Sequence, residues 1–209
     1  MEGQTPKSTI AGNFENKFGS SNPLQRFLIK RFSSQMLKLV TGTGANTVLD
    51  VGCGEGYPAQ YLRRSCAGIE ITGVDWSEQV VRTAKRMNSQ IGFQVASVYE
   101  LPFASKSFDL VMALEVLEHL LYPEQALAEM GRVAQKYCLV SVPEEPLWRI
   151  LNVSRGKFLA SWGNTPGHLQ HWSKSDFLRL LQRSFRVEQV ATPFPWTMAL
   201  CRADLPNTT

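Results

Sequence analysis

Three alternating glycines are the residues best suited to bind a ligand. Gly52, Gly54 and Gly56 follow the short apolar run 47–51 and precede a segment with a helical pattern. Missing Cβ atoms let the backbone turn tightly and let a ligand approach it closely. Free amides at a helix N-terminus also donate to anionic groups. The segment therefore predicts a ligand-binding turn between a strand and a helix.

Asp75 is the second candidate for ligand binding, 19 residues after Gly56 and at the end of another apolar run. A carboxylate at a strand end can accept hydrogen bonds from both hydroxyls of a ribose, and Trp76 offers a flat face to an adenine ring. Tyr57 occupies the place of the third glycine in the Gly-x-Gly-x-x-Gly pattern, which argues against a nicotinamide dinucleotide. The alternative is a tight turn followed by a helix-capping aspartate.

Histidines supply the candidates for acid–base chemistry. His119 follows the predicted fourth strand, whereas His168 and His171 lie in an irregular segment after the fifth. Any of them could remove a proton from a nucleophile. Glu115, Glu118 and His119 have the i, i+3, i+4 spacing of one helical face, which predicts a site for a divalent ion. Solvated or helix-capping carboxylates are the alternative.

Residues 144–172 combine aromatic and cationic side chains without clear periodicity. This composition favours a lid over a flat or anionic apolar acceptor, and it also suits a packed segment or a helix at a membrane interface. The residues concerned are Trp148, Phe158, Trp162, Trp172, Arg149, Arg155 and Lys157.

Alternating strand and helix patterns must position these groups. Short apolar runs alternate with amphipathic segments, which predicts an α/β fold with a doubly wound parallel sheet covered by helices on both faces. The predicted strands are 47–51, 70–75, 92–96, 108–114, 137–142, 185–190 and 196–201. The predicted helices are 23–40, 57–65 and 123–134, with two more that begin after Ser77 and Ser173.

Length and charge fit one domain of 209 residues, of which 44% are hydrophobic. We expect a flexible segment over 1–22 and a single domain over 23–209, with 144–172 as its lid insertion. The net charge of +4 is unevenly distributed. Basic residues outnumber acidic ones by 6 to 2 in residues 1–46 and by 8 to 5 in 143–209, whereas acidic residues lead by 11 to 8 in 47–142. Such basic flanks suit an anionic partner or simply favour solubility.

Several classes of protein are disfavoured by the pattern of apolar residues and cysteines. No apolar run reaches the ~18 residues of a membrane span, and residues 1–7 lack the apolar region of a secretory signal. Cys53, Cys66, Cys138 and Cys201 form no CxxC pair, which favours reduced thiols over a zinc ribbon or a disulfide framework. We therefore expect a cytoplasmic protein.

Several of these motifs together resemble the class I S-adenosylmethionine-dependent methyltransferases. They are residues 48–56, 73–75, Leu101-Pro102-Phe103 and 107–111. The similarity is to the small type-11 methyltransferases, which include quinone-biosynthesis enzymes. It is strong over residues 45–142 and weaker over 143–148 and 166–177.

The resemblance implies a Rossmann-like, seven-stranded sheet of order 3-2-1-4-5-7-6 with an antiparallel strand 7, and S-adenosylmethionine as the cofactor. It assigns the methionine half of the cofactor to Asp50, Gly52, Gly54 and Gly56, the ribose to Asp75 and the adenine to Trp76 and Val98. Cys53, Leu114 and Glu115 are also assigned to the cofactor. Ser97 stands where many relatives have an aspartate that bonds the adenine amino group.

We therefore expect methyl transfer to a small-molecule or lipid-like acceptor, with His119, His168 and His171 as the catalytic candidates. The Glu-x-x-Glu-His arrangement resembles the metal site of some quinone O-methyltransferases and of small-RNA 2′-O-methyltransferases. An RNA methyltransferase with a metal-assisted site is one alternative, although no added RNA-binding segment is evident. A catalytically inactive cofactor-binding subunit is another. Packing of helix 23–40 on the domain and a peripheral membrane contact through it both stay open.

Overall fold

The computed structural model describes residues 22–145 and 168–203. Residues 1–21 of the predicted flexible segment 1–22 and residues 146–167 of the lid insertion 144–172 lie outside the described residues. Of the aromatic and cationic side chains proposed for the lid, Trp172 alone lies within the described residues. The other predicted elements can be compared directly with the structure.

Seven strands form one sheet of order β3-β2-β1-β4-β5-β7-β6. The neighbours from β3 to β5 pair in parallel, and β7 is antiparallel to both β5 and β6. The predicted fold class and strand order are confirmed. The strands are β1 (Thr47–Val51), β2 (Glu70–Asp75), β3 (Gly92–Val95), β4 (Phe108–Leu114), β5 (Ala134–Pro143), β6 (Arg186–Ala191) and β7 (Trp196–Arg202).

Side-chain caps explain where three of the helices begin. Asn22 accepts a hydrogen bond from the Leu24 amide, Ser77 from the Val80 amide and Ser173 from the Asp176 amide. Each cap satisfies a backbone donor that has no partner inside the helix. The helices are α1 (Pro23–Thr43), α2 (Tyr57–Ser65), α3 (Glu78–Met87), α4 (Pro123–Val133) and α5 (Lys174–Gln182).

The sheet separates two apolar cores, and β4 contributes to both. Leu110, Met112 and Leu114 pack into the core beneath α1, α2 and α3, whereas Val111 and Ala113 pack into the core beneath α4 and α5. This follows from the period of two in a strand, which sends alternate side chains to opposite faces. Burial on both faces explains why the central strands read as continuous apolar runs.

The parallel strands end along one edge of the sheet, called here the ligand edge. The glycine turn follows β1 at this edge, and Trp76 follows β2. Because β7 is antiparallel, it begins there, with Trp196 paired to Pro143 at the end of β5. Across the described ranges, no helix is both long enough and apolar enough to cross a bilayer.

Candidate active site

The glycine turn after β1 depends on glycine for its backbone conformation and for its packing. Gly52, Gly54 and Gly56 have φ angles of 69°, 54° and 83°, in the left-handed region that other residues rarely adopt. A Cβ on Gly52 would lie 2.5 Å from Val116, and one on Gly56 would lie 2.7 Å from the ring of Phe93. At these two glycines the side chains of Val116 and Phe93 therefore occupy the space in which the sequence predicts a ligand.

Backbone hydrogen bonds join this turn to the end of β2. The amides of Gly52 and Cys53 donate to the Val74 carbonyl at 2.8 and 2.9 Å, and the Asn88 side chain donates to the Glu55 carbonyl at 3.4 Å. Asn88 is buried at the end of α3, and sequence reasoning did not single it out. The two candidate parts of a cofactor site, the turn and the end of β2, are thus held together.

Asp75 lies beside the glycine turn, as the sequence predicts. Its Oδ2 accepts a hydrogen bond from the Gly54 amide at 3.1 Å, and its Oδ1 accepts one from the Ser77 amide at 3.0 Å. Burial raises the pKa of Asp75, and these amide hydrogen bonds oppose the rise. Each carboxylate oxygen has a second lone pair and can still accept a ligand hydroxyl. Trp76 follows immediately and is 55% exposed.

Asp50, near the end of β1 and just before the glycine turn, is the most unusual ionisable group of the site. It is 1% exposed, and its Oδ2 has no hydrogen-bond partner among the residues described. Burial, and secondarily the negative charge of Asp75, raise its pKa to about 8. A buried carboxyl group without a partner is unfavourable for the protein alone. A ligand that brings a positive charge or hydrogen-bond donors to Asp50 would remove this cost.

The segment after β3 is shaped by a charged pair that sequence reasoning missed. Glu129 accepts from the Leu101 amide at 2.8 Å, and Arg132 donates to the carbonyls of Leu101 and Phe103 at 2.9 and 2.8 Å. Glu129 and Arg132 also pair with each other on α4. Their i, i+3 spacing was the signal available in the sequence. This pair fixes the Leu101-Pro102-Phe103 motif just after Ser97 and Val98.

Ser97 and Val98 begin this segment, where the resemblance places the adenine. The Ser97 hydroxyl accepts a hydrogen bond from the Tyr99 amide at 3.2 Å, so it already stabilises the local turn. Val98 packs against the core beneath α4 and α5. Both residues lie at the ligand edge, in the loop after β3.

Glu115 lies just beyond β4, next to Leu114, with a positive φ of 60° that is rare for a residue other than glycine. Its Oε2 accepts a hydrogen bond of 2.6 Å from the indole nitrogen of Trp196. The prediction that Glu115, Glu118 and His119 share one helical face is wrong. The reason is that β4 extends to Leu114 and only residues 117–119 form a short 3-10 helix.

The three predicted histidines do come together. The rings of His119 and His168 are 4.9 Å apart, and those of His168 and His171 are 6.4 Å apart. Two carboxylates complete this acceptor cluster, which we define as Glu118, His119, Glu145, His168 and His171. Candidate ligand atoms of Glu118, His119 and His168 lie within 4.8 Å of one another, and so do those of Glu145, His168 and His171.

Backbone hydrogen bonds bring the distant parts of the cluster together. The amides of Leu169 and Gln170 donate to the Glu118 carbonyl at 2.7 and 3.1 Å. The His171 Nδ1 lies 3.6 Å from a carboxylate oxygen of Glu145, a residue that sequence reasoning did not select. Two imidazoles and a carboxylate can hold a divalent ion or move a proton, so the cluster suits a reaction at a polar atom.

The middle of the chain is similar in sequence to known methyltransferases. A family model described as a methyltransferase domain matches residues 49–140. Methyltransferase GfsG of Streptomyces halstedii is 33% identical over 110 residues, which cover 50% of this chain and 39% of that protein. An uncharacterized methyltransferase of Schizosaccharomyces pombe is also 33% identical, with 49% of this chain and 40% of that protein covered. The chain thus spans about two fifths of the length of these relatives.

Other likenesses extend over more of the chain. The ubiquinone biosynthesis O-methyltransferase of Coxiella burnetii is 26% identical over 193 residues, which cover 83% of this chain and 80% of that one. The magnesium protoporphyrin IX methyltransferase of Synechocystis, crystallised with bound SAH, has a TM-score of 0.70 at 17% identity, covering 90% and 92% of the two chains. The PH0226 protein of Pyrococcus horikoshii has a TM-score of 0.73 at 21% identity, covering 91% and 96%. These two structures share the fold.

Proposed function

We propose that this chain carries a methyltransferase domain of the class I S-adenosylmethionine-dependent type and that it transfers a methyl group from that cofactor to a small-molecule or lipid-like acceptor. The observation that carries the proposal is the buried Asp50, which precedes a turn of three left-handed glycines and whose Oδ2 has no hydrogen-bond partner among the described residues. The amino group and the sulfonium of S-adenosylmethionine are both positively charged. A positive charge beside a buried carboxyl group favours its ionised form, so the site of Asp50 is suited to such a ligand.

Three residues beside the glycine turn fit this cofactor. Asp50 is placed to meet its positively charged methionine half, Asp75 has lone pairs left for the ribose hydroxyls, and Trp76 exposes a flat ring beside Asp75. Cys53, Leu114, Glu115, Ser97 and Val98 complete the proposed lining of the cofactor site. When bound, the cofactor would supply a methyl group on a sulfonium sulfur, so that an acceptor atom could bond to the methyl carbon as the carbon–sulfur bond breaks and the sulfur leaves as a neutral thioether.

The acceptor cluster supplies the other requirement, because many nucleophiles must lose a proton before or during methylation. We assign this task to His119, His168 and His171, with Glu118 and Glu145 as the adjacent carboxylates. The protein would orient the acceptor between this cluster and the cofactor turn, and alignment of two reactants is a large part of such catalysis.

A divalent ion also fits the donor set of Glu118, His119 and His168. These residues would hold the ion, which would favour the deprotonated form of an acceptor hydroxyl. Glu115 is not part of either ligand group found among the described residues. The metal-assisted version of the proposal therefore rests on His168 instead of on the Glu-x-x-Glu-His motif alone.

Calorimetric titration with S-adenosylmethionine tests the cofactor site. Hydrogen bonds to a charged group contribute about 1.5–3 kcal/mol each, so loss of the two ribose contacts in Asp75→Ala should weaken binding by at least ~100-fold. Glu70→Ala, at the opposite end of β2, is the matched control and should bind normally. Unchanged affinity in Asp75→Ala would contradict the assignment.

Transfer of a labelled methyl group tests the acceptor side. Quinones, phenols, amines and RNA should be screened with and without a chelator, using the wild-type protein and His119→Asn. We expect incorporation into a small apolar acceptor and a large loss of rate in the variant with normal cofactor affinity. Incorporation into RNA alone, or cofactor binding without any transfer, would favour the two alternative functions. Inactivation by the chelator would establish the metal-assisted version.

A further inference from the structure

The outward surface of α1 carries only positive charge. Four cationic residues lie on this helix of 21 residues, which contains no aspartate or glutamate. They are Arg26, Lys30, Arg31 and Lys38, and all four are exposed. Within the described part of the chain, none of them forms an ion pair with a carboxylate. Such a surface attracts an anionic partner.

Large apolar side chains lie among these cations. Leu24 and Phe27 are each 55% exposed, although the core-facing stripe of α1 buries Leu28 and Phe32. The guanidinium of Arg31 lies 5.8 Å from the centre of the Phe27 ring. We define the α1 surface as Leu24, Arg26, Phe27, Lys30 and Arg31. It combines charge with apolar groups that packing on the domain does not use.

The α1 surface lies at the ligand edge. The end of α1 leads into β1, which runs toward that edge, so the helix begins on the ligand side. Phe32 confirms this placement, because its ring centre is 5.0 Å from that of Trp196, the first residue of β7. Phe194, two residues before Trp196, is 43% exposed. Apolar groups of α1 and of the β6–β7 loop thus lie on the same side of the molecule as the proposed site.

We propose that the α1 surface binds the headgroup region of an anionic lipid bilayer. Cations on a helix are attracted to acidic headgroups, and exposed leucine and phenylalanine side chains insert at the boundary with the acyl chains. A nucleic acid would match the charge but would leave Leu24 and Phe27 exposed to water. The contact would bring the ligand edge to the membrane, where a lipid-like acceptor is concentrated. The binding itself does not depend on the proposed methyl transfer.

Co-sedimentation with vesicles tests this proposal without cofactor or acceptor. One set of vesicles contains phosphatidylcholine alone, and the other contains about one third phosphatidylglycerol. A cation near an acidic membrane contributes about a factor of 5 in affinity, equivalent to ~1 kcal/mol. We expect clear binding only to the anionic vesicles, and reversal of two charges in Phe27→Ser/Lys30→Glu/Arg31→Glu should weaken it at least ~25-fold.

The matched control is Lys85→Glu/Arg86→Glu/Met87→Ser at the end of α3. It changes two exposed cations and one exposed apolar residue outside the α1 surface, and it should bind vesicles like the wild type. Circular dichroism and cofactor affinity confirm that both variants fold. Phe27→Ser alone and Lys30→Glu alone replace the triple variant if it does not.

Three results would overturn the proposal. They are equal binding to neutral and anionic vesicles, equal losses in both triple variants, and binding of the α1 surface to RNA without binding to vesicles. Failure of vesicle binding with normal methyl transfer would leave the proposed function intact. Vesicle binding by a protein that transfers no methyl group would leave the α1 surface intact and contradict the proposed function.

Discussion

Replacement of Asp50 by asparagine should stabilise the ligand-free protein while weakening its binding of the cofactor. Asp50 is 1% exposed, and burial followed by the charge of Asp75 raises its pKa to about 8 from an ordinary value of 3.8. The folded protein therefore favours the protonated carboxyl group more strongly than the unfolded chain does. Above pH 3.8 this difference destabilises the fold, and the penalty grows until the pH reaches about 8.

The size of the effect follows from the pKa difference. One pH unit between the two pKa values corresponds to about 1.4 kcal/mol. At pH 5 the penalty is therefore about 2 kcal/mol, and at pH 8.5 it reaches about 6 kcal/mol. Asparagine has nearly the same shape and does not ionise. The stability of Asp50→Asn relative to the wild type should thus rise by about 4 kcal/mol between these two pH values.

Denaturant unfolding at pH 5 and pH 8.5 measures this difference. Any constant cost of placing an amide in the site cancels, because only the change between the two pH values is used. Glu70→Gln at the exposed start of β2 is the control and should show almost no change. A wild-type and Asp50→Asn pair whose stability difference is the same at both pH values would refute the explanation.

The affinity for the cofactor should rise with pH over the range in which the stability of the ligand-free protein falls. If S-adenosylmethionine binds the ionised Asp50, the free protein must lose a proton below pH 8, and affinity should fall about tenfold for each pH unit below that value. Calorimetry in two buffers of different ionisation enthalpy would detect the release of about one proton at pH 7. Asp50→Asn should bind more weakly and release none. Proton-independent binding by the wild type would contradict the role assigned to Asp50.

The other predictions concern the groups that hold the site in place. Gly56→Ala should lower the free energy of unfolding by about 2–4 kcal/mol, because residue 56 has a left-handed backbone and a Cβ there would lie against the Phe93 ring. The control Gly68→Ala has a φ of 84° but open space around it, so it should lower the free energy of unfolding by about 1–2 kcal/mol. Equal effects in thermal unfolding would disprove the packing argument. Trp196→Phe should cost about 1–3 kcal/mol in denaturant unfolding because Glu115 loses a buried donor, and an unchanged midpoint would count against this. Hydrogen bonding from Arg132 lowers the pKa of Glu129, so the stability that Glu129 contributes is present above its ordinary pKa and is lost as the pH falls through the lowered value. Glu129→Gln should therefore reduce the melting temperature more at pH 7 than at pH 3, and the reverse order would contradict the sign.

Local sequence signals were sufficient for most elements. The two helices predicted to begin after Ser77 and Ser173 do so, and both serines accept capping hydrogen bonds from backbone amides. The apolar runs were read as buried parallel strands, and β4 is buried on both faces. These signals succeed because caps and strand periodicity depend on residues close together in the chain. The topology came from the resemblance, since periodicity does not determine strand order.

The candidate site was less accessible to sequence reasoning because its contacts join distant parts of the chain. Glu145 contacts His171, which lies 26 residues later in the chain, and Trp196 donates to Glu115 across a separation of 81 residues. The helical spacing at Glu115 was misleading, since the chain passes from a strand through a left-handed residue before a single 3-10 turn. Side-chain spacing predicts a shared face only where the helix itself is established.

The ring of Phe93 lies close to two glycines, Gly56 in the turn after β1 and Gly73 in β2. A Cβ on Gly73 would lie 2.5 Å from this ring, and one on Gly56 would lie 2.7 Å from it. The three positions therefore cannot diverge independently during evolution. A smaller residue at 93 would relieve the closest contact of a Cβ at 73 and leave the one with the Cys53 Cβ at 3.1 Å, whereas position 56 would still be restricted by its φ of 83°. Covariation in this fold should thus couple 73 with 93 and leave 56 invariant.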